Sequence, residues 1–220
     1  MNKLKLLFLA LVLSLSSAAA TIDTNVDLVY EWGDQYVWSV QGYRYDGEKA
    51  SGYQSHGSGV WINDTTMVTA CHVPSTKTEM WASANGHFEI NVELVVEFCN
   101  VGADQSIMSV VAGERHDVAP VTFGALPARG ERVYIVGYPA DFPLTVTTGW
   151  YVGKSVQDSV LGQEAHMLAA QAFGGNSGGA VVVIRDGKVE LVGILTAGYP
   201  SGDLTMMRTL NYSQGWLANH

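Results

Sequence analysis

The chain has 220 residues, 47% of them hydrophobic, and its 12 Lys and Arg face 21 Asp and Glu for a net charge of −9. A nucleic-acid groove needs clustered cations, and the few here are scattered, so an acidic protein with no nucleic-acid partner is expected. This length suits one large domain or two small ones sharing an interface. In chain order, residues 1–20 read first, as a secretory signal. Lys3 and Lys5 open it, Leu6 to Leu15 is apolar apart from one serine, and Ala18-Ala19-Ala20 offers a cleavage site before Thr21. The apolar run is short for a membrane span, no later one is long enough, and Thr21 is not a lipid-bearing cysteine. An exported protein, periplasmic or secreted and without a stable membrane anchor after signal removal, is expected.

The mature part alternates in short segments with little helical periodicity. Tyr36 to Gln41 and Gly59 to Ile62 read as strands, with Asn63-Asp64 turning into a third over Met67 to Ala70. Phe88, Ile90, Val92, Leu94, Val96 and Phe98 alternate with mostly polar partners, the period of a strand with one buried face. Ile107 to Val111, Arg132 to Val136, Leu144 to Tyr151 and Met167 to Ala172 continue the pattern. Ala180 to Ile184 and Val189 to Leu195 flank Asp186-Gly187, a hairpin signal. A polar stretch from Gly113 to Asp117, with Pro120 and Pro127 behind it, marks a crossing between halves over 21–116 and 117–220. Arg208 to Ala218 reads as a short closing helix. No internal repeat is visible. Evenly spaced strands with Gly-rich turns predict an all-β barrel or sandwich.

Two motifs carry chemistry. Thr69-Ala70-Cys71-His72 ends an apolar run, which places a histidine at a strand end. Gly174-Gly175-Asn176-Ser177-Gly178-Gly179 sets a serine among glycines. A serine hydroxyl is a poor nucleophile until a neighbouring base takes its proton, and histidine is the usual base. The glycines permit a sharp turn, leave Oγ exposed and let nearby amides converge on one spot. His56, His87, His116, His166 and His220 have no metal-ligand spacing, so no metal and no cofactor is expected. In an exported chain Cys71 and Cys99 can bridge, or can be two small buried residues.

Gly57-Ser58-Gly59-Val60, Val68-Thr69-Ala70-Cys71-His72-Val73, Gly-Asn-Ser-Gly-Gly and Leu191-Val192-Gly193-Ile194 together resemble a trypsin-like serine peptidase. The resemblance spans Tyr36 to Tyr199, and the bacterial Deg/HtrA-type and glutamyl-endopeptidase-like branches are the most similar. It implies two antiparallel six-stranded β-barrels, with the active site in the cleft between them and a short C-terminal helix. Deg-type enzymes usually continue into PDZ domains, and no such domain is expected after Tyr199 here.

By the same resemblance Ser177 is the nucleophile, His72 the base, and the amides of Gly175 and Ser177 the oxyanion donors. Two aspartates compete for the third place in the triad. Asp117-Val118-Ala119 looks like the family's Asp-Ile-Ala, but it leaves too little chain for the strand that follows. Asp104 opens a strand and lies at the family's usual distance before Gly130-Glu131 and Gly137-Tyr138-Pro139, so Asp104 is preferred. Asn176 stands where digestive relatives carry an aspartate that pairs with a new N-terminus. An amide cannot form that pair, so activation by N-terminal insertion is not expected.

Thr196-Ala197-Gly198 would pair with an extended substrate backbone. Gln171 falls at the pocket base, with Ala172 and Phe173 beside it. No acid lies near it in sequence, and Leu195 replaces the histidine of glutamate-selective relatives, so a small or modestly apolar residue before the cut is expected. The reading is an exported serine endopeptidase, monomeric, acting on protein or peptide through an acyl-enzyme. The alternatives are a catalytically silent binding protein on the same fold, and an esterase. The esterase's Gly-x-Ser-x-Gly matches literally here, but it leads into a strand rather than a helix.

Overall fold

The computed structural model describes residues 24–46, 49–74, 79–84, 91–112, 117–140, 142–155, 165–198, 202–211 and 215. The signal over residues 1–20 and most of the crossing at 113–117 lie outside the described residues. Of the closing helix expected over 208–218, Arg208 instead ends the last strand and Thr209 and Leu210 are not helical, Asn211 and Gly215 are helical, and the rest lies outside the described residues.

Twelve strands build two closed barrels. The first uses β1 (Val37–Asp46), β2 (Lys49–Trp61), β3 (Thr66–Thr69), β4 (Glu79–Ser83), β5 (Asn91–Asn100) and β6 (Gln105–Ala112). The second uses β7 (Arg132–Gly137), β8 (Thr145–Lys154), β9 (His166–Ala169), β10 (Ala180–Arg185), β11 (Lys188–Gly198) and β12 (Thr205–Arg208). The paired order is β1-β2-β3-β6-β5-β4 in one barrel and β7-β8-β9-β12-β11-β10 in the other, antiparallel throughout. The expected all-β architecture of two six-stranded barrels is therefore present, and closure gives every strand a neighbour on both sides, although β11 runs on past its last pair with β10 at Ile194.

Alternation explains why several strands look apolar at every position. In β7, Val133 and Ile135 point into the second barrel, whereas Tyr134 and Val136 face the first. In β10 the same division separates Val181 and Val183 from Ala180 and Val182. Across the interface stand Val37, Val60, Val68 and Ile107, while Trp38, Val40, Trp61 and Met67 fill the first barrel. A buried Val, Leu or Ile contributes roughly 1.5–3 kcal/mol and a hydrogen bond about 1 kcal/mol. The shared apolar cluster therefore dominates the attachment of the barrels, and the polar contacts between them set register.

A helix stands where none was expected. α1 (Thr24–Tyr36) carries Asp27 in its first turn, favourable to the helix dipole, and buries Val29, Gly33 and Tyr36 on one stripe. It lies on the second barrel. A Cβ at Gly33 would stand 2.8 Å from Val136 Cγ1 and 2.9 Å from Leu144 Cδ2, so a larger residue there would have to displace both side chains. The strand expected from Tyr36 begins instead at Val37, immediately after the helix. β4 and β12 were not anticipated either. At the hairpin between β10 and β11, Asp186 (φ 50°) and Gly187 (φ 72°) are both left-handed, as a two-residue type I′ turn requires.

Candidate active site

His72 and Asp104 come from the first barrel. After β3 the chain turns, with Val73 N–H donating to the Ala70 carbonyl at 3.0 Å, and His72 rides on this turn with its side chain 49% exposed. Asp104 closes the turn between β5 and β6 in a left-handed conformation (φ 49°), and its carboxylate is buried. Its Oδ1 accepts the His72 backbone N–H at 3.0 Å, and Oδ2 and Oδ1 lie 2.9 and 3.1 Å from His72 Nδ1. An ionised carboxylate only accepts, so the imidazole proton sits on Nδ1 and Nε2 keeps its lone pair. Asp117, the competing aspartate, is exposed on the segment between the barrels. Cys71 and Cys99 are disulfide-bonded with Cα atoms 5.4 Å apart, which ties the His72 turn to β5.

Ser177 comes from the turn between β9 and β10 in the second barrel. Its carbonyl accepts the Ser58 N–H at 2.8 Å. Gly178 (φ +82°) packs so closely that a Cβ would stand 2.1 Å from Thr69 Oγ1 and 2.8 Å from Ala70 N. The serine loop is thereby laid against the strand end that leads to His72, and a larger residue at 178 would push the two apart. Gly175 is also left-handed (φ +98°), with Ala140 N and the Tyr138 carbonyl each 2.5 Å from where its Cβ would be.

The carbonyls in this loop are pinned. Gly174 O accepts from Ala140 N at 2.7 Å, Gly175 O from Ser58 Oγ at 2.8 Å, and Asn176 O from Gly179 N at 2.9 Å. In a trans peptide the N–H points opposite its carbonyl partner, so fixing Gly174 O and Asn176 O fixes the amides of Gly175 and Ser177. Asn176 is buried and its Oδ1 has no hydrogen-bond partner among the described residues. Being an amide, it carries no charge that calls for a cation.

Thr196 is buried at the end of β11, Ala197 is half-buried and Gly198 is exposed. A Cβ at Gly198 would lie 3.9 Å from the Ala172 carbonyl, so these two segments run side by side. Leu195 belongs to the core of the second barrel. Gln171 is exposed, with its carbonyl accepting from Thr147 Oγ1 at 2.9 Å, and Phe173 is 57% exposed.

Gln171 lines a cavity of about 470 Å3 together with Thr147, Thr148, Ala169, Ala170 and Asp203. Sequence reasoning missed Asp203 because it arrives from the β11–β12 connection, thirty-odd residues away. It also gave no side-chain role to Ser58, although the Gly57-Ser58-Gly59 signal was in view. No group of three or more His, Cys, Asp or Glu among the described residues could hold a metal ion.

Paired barrels with a histidine and aspartate on one side of the cleft and a glycine-flanked serine on the other define a serine hydrolase. The sequence matches the trypsin-like peptidase domain over residues 57–194, and the chain belongs to that family, a serine endopeptidase on the trypsin-like fold. No curated protein matches the chain. Among solved structures it is similar to the active form of the Rv3671c protease from M. tuberculosis (TM-score 0.72, 19% identity, covering 91% of this chain and 87% of that one). The inactive form of the same protease matches with TM-score 0.68 at 19% identity, covering 91% of this chain and 97% of that one. The HtrA-type protease AlgW, in a serine-to-alanine form with a tripeptide, matches with TM-score 0.71 at 16% identity, covering 87% of this chain and 62% of that one. These likenesses share the fold.

Proposed function

We propose that this endopeptidase works through Ser177, His72 and Asp104, and that it is exported. The observation that carries the reading is the pair of contacts from Asp104 to His72 Nδ1 and to the His72 backbone N–H, at 2.9 and 3.0 Å. They hold the imidazole in one tautomer, with Nε2 as the nitrogen that takes the Ser177 proton. Ser177 Oγ then attacks the peptide carbonyl while the amides of Gly175 and Ser177 receive the oxyanion. His72 returns the proton to the leaving amine, and water repeats the sequence on the acyl-enzyme. The substrate backbone lies along Thr196-Ala197-Gly198 as an added strand, with Gln171 and Ala172 beside its side chain.

Asn176 supports activity without insertion of a new N-terminus, since position 176 offers a buried amide rather than a carboxylate to pair with one. Asp203 beside Gln171 disfavours acidic residues in that cavity. Incubating the mature protein with a diverse peptide library, with Ser177→Ala as control, tests the reading. Cleavage by the wild type alone, with acidic residues absent before the cut, is expected. An inert wild type would leave the silent binding protein as the better account.

A further inference from the structure

Ser58 occupies an unusual position for a residue of the first barrel. It is fully buried in β2, and each of its polar groups is engaged across the cleft or against the histidine strand. Its N–H donates to the Ser177 carbonyl at 2.8 Å. Its hydroxyl donates to the Gly175 carbonyl at 2.8 Å and accepts the Tyr138 N–H at 2.8 Å. Its carbonyl accepts from Thr69 Oγ1 at 2.7 Å, three residues before His72. Gly57 and Gly59 flank it. A Cβ at Gly57 would stand 2.9 Å from the Ser177 carbonyl, and one at Gly59 2.3 Å from Met67 Sδ, so the strand is stripped to backbone on both sides of this serine.

We propose that Ser58 is a positioning residue for the oxyanion site, an inference that rests on the peptidase reading above. One hydroxyl joins Tyr138 at the end of β7 to Gly175, and the same residue's N–H grips Ser177 two positions further on. The carbonyls of Gly175 and Ser177 are therefore both anchored to a single residue of the other barrel, and that residue is itself bonded to the strand that carries His72. Relative motion of the barrels moves base and nucleophile loop together.

Without the hydroxyl, Gly175 O loses its donor and the buried Tyr138 N–H loses its acceptor. The Gly175–Asn176 peptide plane can then turn, and the segment from Tyr138 to Ala140 loses its tie to β2; because the Ala140 N–H holds Gly174 O, the Gly175 amide no longer aims at the developing oxyanion. Such interactions count in the transition state rather than in substrate binding, so the loss should fall on kcat. Displacing a reacting group by about 1 Å costs on the order of a hundredfold, and deleting a whole oxyanion donor about a hundred- to a thousandfold.

The test compares Ser58→Ala with wild type on one peptide substrate, with folded protein confirmed by thermal melting and KM and kcat determined separately. We expect kcat to fall by about ten- to a hundredfold with KM within threefold. Affinity for a peptide aldehyde, whose hemiacetal mimics the tetrahedral state, should fall by the same factor as kcat/KM. A role in folding alone would lower the melting temperature and leave these ratios unchanged.

Ser58→Thr keeps the hydroxyl while enlarging the side chain, and should retain kcat within about threefold even if it melts earlier. It decides the matter if Ser58→Ala does not fold. A folded Ser58→Ala with kcat within twofold of wild type, a fall in kcat/KM that comes from KM with aldehyde affinity intact, or a folded Ser58→Thr with kcat down tenfold would each overturn the proposal. Inertness of the wild type would instead overturn the peptidase reading on which it rests.

Discussion

Asp104 holds a left-handed backbone conformation that most side chains resist and aspartate tolerates, because its short polar group can bond locally. That conformation brings the carboxylate back over the His72 turn, where it meets both the ring and the main chain of His72. Asp117 is exposed on the connecting segment. The two aspartates therefore make opposite predictions. Asp104→Asn should lower kcat by about ten-thousandfold, since an amide can present its NH2 to the ring and favour the wrong tautomer. Asp117→Asn should change it by less than about tenfold, as surface substitutions away from special features do. Steady-state rates on variants of matched thermal stability check both, and a reversed order would refute the Asp104 assignment.

His166 gives a second prediction at this scale. Burial pushes its imidazole below the ordinary value, and the nearby Lys154 and Arg208 push the same way. Tyr151 hydroxyl lies 2.8 Å from Nδ1. The folded state thus resists a proton that the unfolded chain accepts below about pH 6.5. Stability should be level above that pH as far as His166 is concerned, and should fall as pH drops through it. His166→Gln should flatten this part of the acid limb in melting curves between pH 8 and 5, and an unchanged limb would contradict the attribution.

At the scale of elements, the disulfide joins the His72 turn to β5, whose hairpin with β6 ends at Asp104. It closes a loop with a sequence separation of 28. Such a closure restricts the unfolded chain by about 3–4 kcal/mol on the loop-entropy estimate. Replacing both cysteines by serine should lower Tm by roughly 6–16 °C, given about 2–4 °C per kcal/mol at this size. Calorimetry on the double variant measures it, and a Tm within 2 °C of wild type would show that the bridge adds little.

The same scale shows what the sequence could reveal. Hairpin β10–β11 was legible because Asp186-Gly187 and strict alternation act locally. Helix α1 was not, since its stripe of Val29, Gly33 and Tyr36 contains a glycine whose value lies only in the approach to Val136 and Leu144. Strands β4 and β12 escaped because Glu79–Ser83 and Thr205–Arg208 hold no Val or Ile and lie in no extended apolar run. The serine and histidine were visible as motifs. The hydroxyl of Ser58 and the carboxylate of Asp203 reach the site through tertiary folding, which no local spacing encodes.

At the scale of the whole molecule, the two barrels share one strand order although no repeat shows in their sequences. Closure and alternation constrain only which face is apolar, so Trp38, Trp61 and Met67 fill one barrel where Val133, Leu168 and Met207 fill the other. The proposed chemistry is divided between the barrels, with His72 and Asp104 on the first and Ser177 and its neighbouring amides on the second, so on that proposal neither half is sufficient alone. The most direct measurement is reaction of the protein starting at Thr21 with a fluorophosphonate, followed by mass spectrometry of its peptides. A single adduct on Ser177, formed without further cleavage and lost in His72→Ala, is the result predicted. No adduct, an adduct on another serine, or labelling unchanged in His72→Ala would contradict the account.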